Sequence, residues 1–396
     1  MKSVSSDQPD WILLGAALGL VAIGTAMIYS ASSGYGVIRW SWAEDRVLRE
    51  HLLRVGVGLV FFLVSYLIRP SWLGTLSRLG YWVAIGALAF TVASRSVGAI
   101  NGAKRWISVA MFSLQPAEFA KLVLIAHLAW MASRRDARID EWSGLAPALW
   151  KTALMCGLVL LQPNFSTAAA LAMVAFAILV SSGMNWKHIG ILGASALIGS
   201  LLIMAAQPYR VLRIKAFFHP EENALGSALQ SLQALIALGN GGLTGVGLGR
   251  GTAKLMHLPE PYTDTIFAVL GEEMGMIGTL VILGLFLVLV WRGTRIALLS
   301  RNPQFRLLAV GITTALGLYA VLHAMVCTRL IPTTGLPMPF VSYGGSNLSF
   351  SMLGLGLLLN LSRRLSETEP EPVHSNPFAR AVRAPSTTTQ RRVAWD

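Results

Sequence analysis

From Thr152 to Trp186 the chain runs 35 residues without an Asp, Glu, Lys or Arg. As a single helix that stretch would measure about 52 Å, against a bilayer hydrocarbon core of about 30 Å. It must therefore fold back on itself. Pro163-Asn164 is the place for the reversal, because proline disfavours helical geometry in the residue before it and asparagine tolerates turns. The reading is two helices, roughly 149–162 and 166–182.

Eight further apolar runs surround this pair: Trp11 to about Ala31, then runs centred on 52–68, 78–94, 114–132, 188–206, 268–291, 307–328 and 346–361. Only 13% of the 396 residues are charged and 54% are apolar. Soluble domains carry about 25% charged residues, so a water-soluble globule is excluded. The first run is too long for a signal-peptide core and has no clear small-residue cleavage site after it, so it reads as a retained helix. The expected fold is an all-α polytopic membrane protein of about ten transmembrane helices.

An even count puts both termini on one side. Arg69, Arg78, Arg134, Lys151, Lys187, Arg292 and Arg364 fall on that side, with the basic tail, and the positive-inside rule makes it the cytoplasm by a modest margin. The net charge of +13 is carried in short loops between apolar runs, which points to topology and lipid phosphate rather than nucleic acid. Many basic residues still fall on the outer side. An anionic ligand there would account for them, as would ordinary snorkelling of long side chains. Residues 1–10 form a cytoplasmic N-terminus, 11–364 the membrane domain with a large outer loop at 207–264, and 365–396 a polar tail that reads as disordered. Within the loop, Leu229, Leu232, Leu235 and Ile236 recur at helical spacing. Cys156 and Cys327 lie far apart in apolar runs and suggest neither a disulfide nor a metal framework.

Four constellations carry possible chemistry. Glu118 and Lys121, spaced i, i+3, share a helix face inside an apolar run. A charge at that depth must face protein or a water-filled cavity, as a helix clamp or as part of a site. Asp264 precedes the eighth helix and suits either an N-cap or a carboxylate that accepts a proton at the membrane surface. Glu272 and Glu273 lie about 12–14 Å further along and suit helix-to-helix contacts. The glycines from Gly239 to Gly251 lack the GK[ST] ending and preceding strand of a phosphate loop, so tight turns are expected, with Arg250 and Lys254 available to a diphosphate. The uncharged segment from Pro332 to Ser346 is expected to re-enter the membrane domain, where such backbone survives only if buried in protein or lining a cavity.

In order along the chain, Gly102-Ala103-Lys104-Arg105-Trp106-Ile107, Gln115-Pro116-Ala117-Glu118-Phe119-Ala120-Lys121-Leu122, Pro208-Tyr209-Arg210, Gln230 with Gln233, Gly241-Gly242 to Gly249, Leu258-Pro259-Glu260 with Thr263-Asp264, Gly271-Glu272-Glu273, Pro332 to Pro337 and Ser342-Tyr343-Gly344-Gly345-Ser346 resemble the SEDS family of bacterial wall polymerases. The resemblance spans nearly the whole membrane portion. It implies a peptidoglycan glycosyltransferase that polymerises lipid II into glycan strands at the outer face of the cytoplasmic membrane, with undecaprenyl diphosphate as leaving group. Asp264 matches the family's essential acidic residue, and Arg105, Glu118 and Lys121 match other positions the family needs. Lys104, Arg105, Arg210 and Arg213 are the outer-face cations expected to steady the diphosphate, and Gln233 is a further substrate-binding candidate. The resemblance also implies a class B penicillin-binding transpeptidase as partner, beside other division proteins.

Two departures stand out. The family commonly has aspartate and glycine after Gln-Pro, whereas here Gln162-Pro163 is followed by Asn164-Phe165, and the usual ninth-helix asparagines appear as His323 and Cys327. Tyr29-Ser30-Ala31-Ser32-Ser33 at the end of the first helix, together with the tail, favour the family's division branch, at the septum, over its elongation branch. A lipid II flippase working through Glu118 and Lys121 is the rival from another class, and a non-catalytic scaffold a third. A divalent cation could share the work on the diphosphate, but no ligand cluster in the sequence indicates one.

Overall fold

The apolar runs become helices, some matching the hydrophobic segment closely and others extending a turn or more beyond it at one end. The computed structural model describes residues 8–40, 45–94, 105–109, 112–134, 136–220, 228–256 and 258–366, without the side chains of 34–40, 108, 109, 112, 208–210 and 256. Helices α1 (Trp11–Trp40), α2 (Arg46–Leu67) and α3 (Pro70–Ala93) come first. A two-stranded antiparallel hairpin follows, β1 (Ile107–Val109) with β2 (Phe112–Leu114). Next are α4 (Pro116–Ala132), α5 (Trp142–Leu161), α6 (Phe165–Ser181), α7 (Trp186–Ala205), α8 (Pro208–Phe218), α9 (Leu229–Gly241) and α10 (Ala253–Met256). The chain closes with α11 (Ile266–Leu299), α12 (Pro303–Cys327) and α13 (Gly345–Ser362).

Among the described residues ten helices, α1–α7 and α11–α13, run 17 residues or more. Six of them, α1, α3, α5, α7, α11 and α12, are long and apolar enough to cross a membrane. The expected reversal lies between α5 and α6, where Asn164 caps α6 by accepting a hydrogen bond from the Thr167 amide at 3.4 Å. The helix expected inside the 207–264 loop is α9, and α8 precedes it. The hairpin was not anticipated. It docks on the start of α13, where Ser346 Oγ accepts from the Gln115 amide (2.9 Å) and donates to the Ser113 carbonyl (3.0 Å).

Both ends of the described chain meet at one end of the bundle. There the Asp10 carboxylate pairs with Arg292 at 2.7 Å, and the Asp10 amide donates to Ser362 Oγ at 3.1 Å. The core lies among α4, α11, α12 and α13, and α13 is buried along nearly its whole length. Helix α7 is peripheral. His188, its ring tilted against Trp142 at 4.3 Å, is its one buried residue among those described.

The eighth apolar run reads as one continuous helix, but α11 is broken at Gly275, whose φ of 66° and ψ of −165° are non-helical. An α-helix with such a break loses the bonds from the 276 and 277 amides to the 272 and 273 carbonyls. The glycine-rich loop supplies replacements for all four groups. Met276 N donates to Gly242 O (2.9 Å) and Ile277 N to Leu243 O (3.2 Å), while the Glu272 and Glu273 carbonyls each accept at 3.0 Å from Val246 and Gly247. Irregular backbone inside a membrane domain persists only when protein satisfies it in this way.

The expected tight turns are present, with φ between 79° and 103° at Gly245, Gly247 and Gly249. A Cβ on Gly275 would meet the backbone of Leu243 and Gly245. Gly275→Ala is therefore expected to cost about 1–3 kcal/mol, read as a lowered unfolding temperature of the detergent-solubilised protein. Gly284→Ala, where a Cβ meets open space, should be neutral.

Lys254 departs from the sequence reading. It is buried at the foot of this loop and donates to Glu273 Oε1 (2.6 Å), Ser30 Oγ (2.8 Å) and Gly249 O (3.0 Å), so it is committed to the fold and not open to a diphosphate. Glu272 accepts from the Thr252 and Ala253 amides, at 3.0 and 3.2 Å. The two glutamates thus pin the loop as well as joining helices.

The uncharged segment between α12 and α13 is buried in protein, as expected. Leu336, Met338, Phe340 and Val341 are each 3% exposed or less. A bare glycine face on α1 admits this segment, since a Cβ on Gly24 would lie 2.7 Å from the Phe340 carbonyl.

Candidate active site

At the end of the bundle away from the chain termini, a cleft of about 540 Å³ opens among α2, α4, the hairpin and the segments before α11 and α13. Its polar lining includes Arg54, Arg105, Glu118, Asn164, Glu260 and Asp264. Toward the membrane interior the wall becomes apolar, with Val57, Phe61 and Phe350, the last two rings meeting edge to face at 5.8 Å.

The backbone on either side of Asp264 is fixed from a distance. Ser342 Oγ donates to Thr263 O at 2.9 Å, the Tyr343 amide donates to Tyr262 O at 2.9 Å, and Thr265 Oγ1 donates to Pro259 O at 3.2 Å. The cap position of α11 falls on Thr265. Asp264 is thus no helix cap. Among the described residues its carboxylate accepts no hydrogen bond and forms no ion pair, and it is partly exposed to the cleft. Loss of water raises its pKa to about 6, with repulsion from Glu260 adding to the rise and Arg213 partly offsetting it. A carboxylate held near neutrality and without a partner is suited to take up a proton.

Glu118 sits in the first turn of α4 and lines the cleft with 2% exposure. Lys121 lies one turn behind it, donating to Glu118 Oε2 at 2.6 Å with its ammonium 4.0 Å from the Tyr319 ring centre. The two possibilities for this pair therefore coexist, since it joins α4 to α12 and also faces the cleft. Arg105 grips the α5–α6 reversal from the hairpin side, donating Nε to Gln162 O (3.1 Å) and an Nη to Pro163 O (2.5 Å). Asn164 lines the cleft beside it without adding a charge.

Arg213, on α8, donates to Thr333 O at 2.9 Å and acts on Asp264 through its charge. Gln233 lies on α9 and is not part of the cleft lining. Lys104 and the side chain of Arg210 lie outside the described residues.

Arg54 escaped the sequence reading. It stacks on Tyr343 at 4.1 Å and meets Glu50 at 3.4 Å, while Tyr343 Oη donates to the same Glu50 at 2.7 Å. The signal was present, because Arg54 is a charge inside the 52–68 apolar run. Among the described residues no three His, Cys, Asp or Glu side chains converge as a metal site would need.

A bundle of long apolar helices with a cleft of mixed polar and apolar lining at one end defines a multi-pass membrane protein with a candidate site at the end of its bundle. The comparisons identify which group of such proteins this is. The model of the FtsW/RodA/SpoVE family, described as Cell cycle protein, matches residues 10–367, and the chain belongs to that family. It is 37% identical over 362 residues to Stage V sporulation protein E of Bacillus subtilis, covering 90% of this chain and 97% of that one. It is also 37% identical over 363 residues to a probable peptidoglycan glycosyltransferase FtsW of Trichlorobacter lovleyi, covering 90% and 93%.

Among solved structures, one described as "Structural coordination of polymerization and crosslinking by a peptidoglycan synthase complex" superposes with a TM-score of 0.74 at 26% identity. That match covers 91% of this chain and 99% of the other. The rod shape determining protein RodA of Thermus thermophilus superposes with a TM-score of 0.66 at 28% identity, covering 91% and 98%.

Proposed function

We propose that this protein is a peptidoglycan glycosyltransferase that polymerises lipid II, and that it serves septal wall synthesis in cell division. Relatives named as probable peptidoglycan glycosyltransferases support the activity, and their FtsW names support the division role over elongation. The observation that carries the reading is the Asp264 carboxylate, without a hydrogen-bond or ion-pair partner among the described residues, in one cleft with Arg54, Arg105 and Glu118. A flippase would leave Asp264 peripheral to its path, and this geometry favours the polymerase instead.

In this reading all ten long helices cross the membrane, the termini are cytoplasmic and the cleft opens at the outer face. The sugar 4-hydroxyl of lipid II attacks the anomeric carbon of the growing chain. A C–O bond forms there as the bond to undecaprenyl diphosphate breaks, and Asp264 accepts the hydroxyl proton. Arg54, Arg105 and Arg213, with Lys104 and Arg210, steady the charge that develops on the leaving diphosphate. The wall of Val57, Phe61 and Phe350 takes the polyprenyl chain. A class B penicillin-binding transpeptidase crosslinks the product, a pairing supported by the polymerisation and crosslinking complex whose fold this chain shares.

The test is polymerisation of labelled lipid II by the purified protein with its transpeptidase partner. Glycan chains are expected, and none, where a control polymerase works, would reject the reading. The base must be ionised, so with an Asp264 pKa of about 6 the rate should fall roughly tenfold per pH unit below that point and level off above it. Glu260→Gln removes a repelling charge, so it should move the midpoint to lower pH. A profile flat from pH 5 to 8 would count against Asp264 as the base.

A further inference from the structure

At the other end of the bundle, α3 and α5 each bring a cation against the same stretch of α4. Arg78 on α3 lies with its guanidinium 5.0 Å from the Trp130 ring centre on α4. Lys151 on α5 places Nζ 2.8 Å from His127 Nε2 on α4, and its ammonium is 5.5 Å from the Tyr81 ring centre on α3. His127 in turn stacks on Tyr81 at 4.8 Å and tilts against Trp130 at 5.6 Å. Neither Arg78 nor Lys151 has a carboxylate partner among the described residues, while the nearby Arg134 spends its charge on Asp136 at 3.1 Å.

The placement of Lys151 is the informative feature. A lysine left to itself beside a membrane extends its ammonium toward water. This one is turned into the crevice between α4 and α5 against the His127 ring, with Tyr81 Oη donating to the Lys151 carbonyl at 3.0 Å. Trp82 and Trp150, 64% and 65% exposed, flank the crevice on the outer surface, as aromatic residues do at a membrane–water interface. An exposed arginine and an inward-turned lysine beside exposed tryptophans fit a phosphodiester whose acyl chains lie along α3 and α5.

We infer that Arg78 and Lys151 form a binding site for the phosphodiester headgroup of an anionic glycerophospholipid, in the leaflet on the side of the chain termini. The site is separate from the cleft, because His127 lies nine residues, about 14 Å, along α4 from Glu118.

Native mass spectrometry of the full-length protein, released from nanodiscs of phosphatidylcholine with one-fifth phosphatidylglycerol, tests this. Retained phosphatidylglycerol is expected on the wild type and on Lys187→Gln, which removes an exposed cation elsewhere on the same side. Each cation at a membrane surface is worth about fivefold, so Arg78→Gln with Lys151→Gln should weaken retention about 30-fold. Arg78→Gln alone gives up only an exposed contact to Thr75 and the packing on Trp130, should fold normally, and should weaken retention about fivefold. Arg78→Lys should keep most of it. Retention unchanged in both glutamine variants, or an equal loss in Lys187→Gln, would reduce the effect to bulk surface charge and overturn the site. Inorganic phosphate raising the unfolding temperature as much as phosphatidylglycerol would make the ligand a free anion and overturn the lipid assignment.

Discussion

Asp264→Asn is expected to lower the rate of lipid II polymerisation by about 10²–10⁴-fold while leaving the protein as stable as the wild type or slightly more so. The separation of the two effects follows from the geometry. Asparagine has the shape of aspartate, the carboxylate holds no hydrogen bond or ion pair among the described residues, and the α11 cap is Thr265. The substitution therefore breaks no contact and removes a poorly hydrated charge. Product length on a gel and thermal unfolding in detergent, measured on the same preparation, read both consequences. A fall in unfolding temperature matching the loss of activity would make Asp264 a structural residue and remove it from the chemistry.

The second large effect concerns Glu118 and Lys121. Their side chains are 2% and 5% exposed, so removing either partner leaves the other as an uncompensated charge in a low-dielectric setting. Glu118→Gln or Lys121→Met alone should each cost about 3–5 kcal/mol of stability. The double replacement Glu118→Gln with Lys121→Met should recover most of that loss, because no charge is left stranded. Activity should not return with it, since Glu118 faces the cleft. Unfolding free energies of the two singles and the double form a cycle, and simple additivity would show that the pair is not coupled.

The sequence made the bundle legible because apolar runs between charges are a local property. The α5–α6 reversal followed from one proline set in a run too long for the bilayer, and α9 from leucines at helical spacing. Asp264 was legible as a position, but its freedom was not. Whether a carboxylate before a helix caps it depends on one residue of register, and here Thr265 takes the cap.

The break at Gly275 was hidden for a related reason. Glycine in an apolar helix is tolerated at a cost of about 1 kcal/mol, so it does not announce a break. The bonds that stabilise this one come from residues 242–247, about 30 positions earlier. Arg54 and Lys254 illustrate the same limit. Each was a basic residue in a loop or run, and only tertiary contact decided that Arg54 faces the cleft and Lys254 is locked to Glu273.

The interrupted α11 also bears on how the protein lives in a bilayer of changing thickness. The portion after Gly275 is a rod of 24 residues, about 36 Å, which must tilt to match the hydrocarbon around it. The short segment carrying Asp264 is fastened elsewhere, to α1 through Ser30 and Glu273 and to the segment before α13 through Ser342 and Tyr343. The four bonds around Gly275 hold the first turn of that shaft to the glycine-rich loop, so a bilayer of different thickness is met at the far end of the shaft while the segment carrying Asp264 keeps its place.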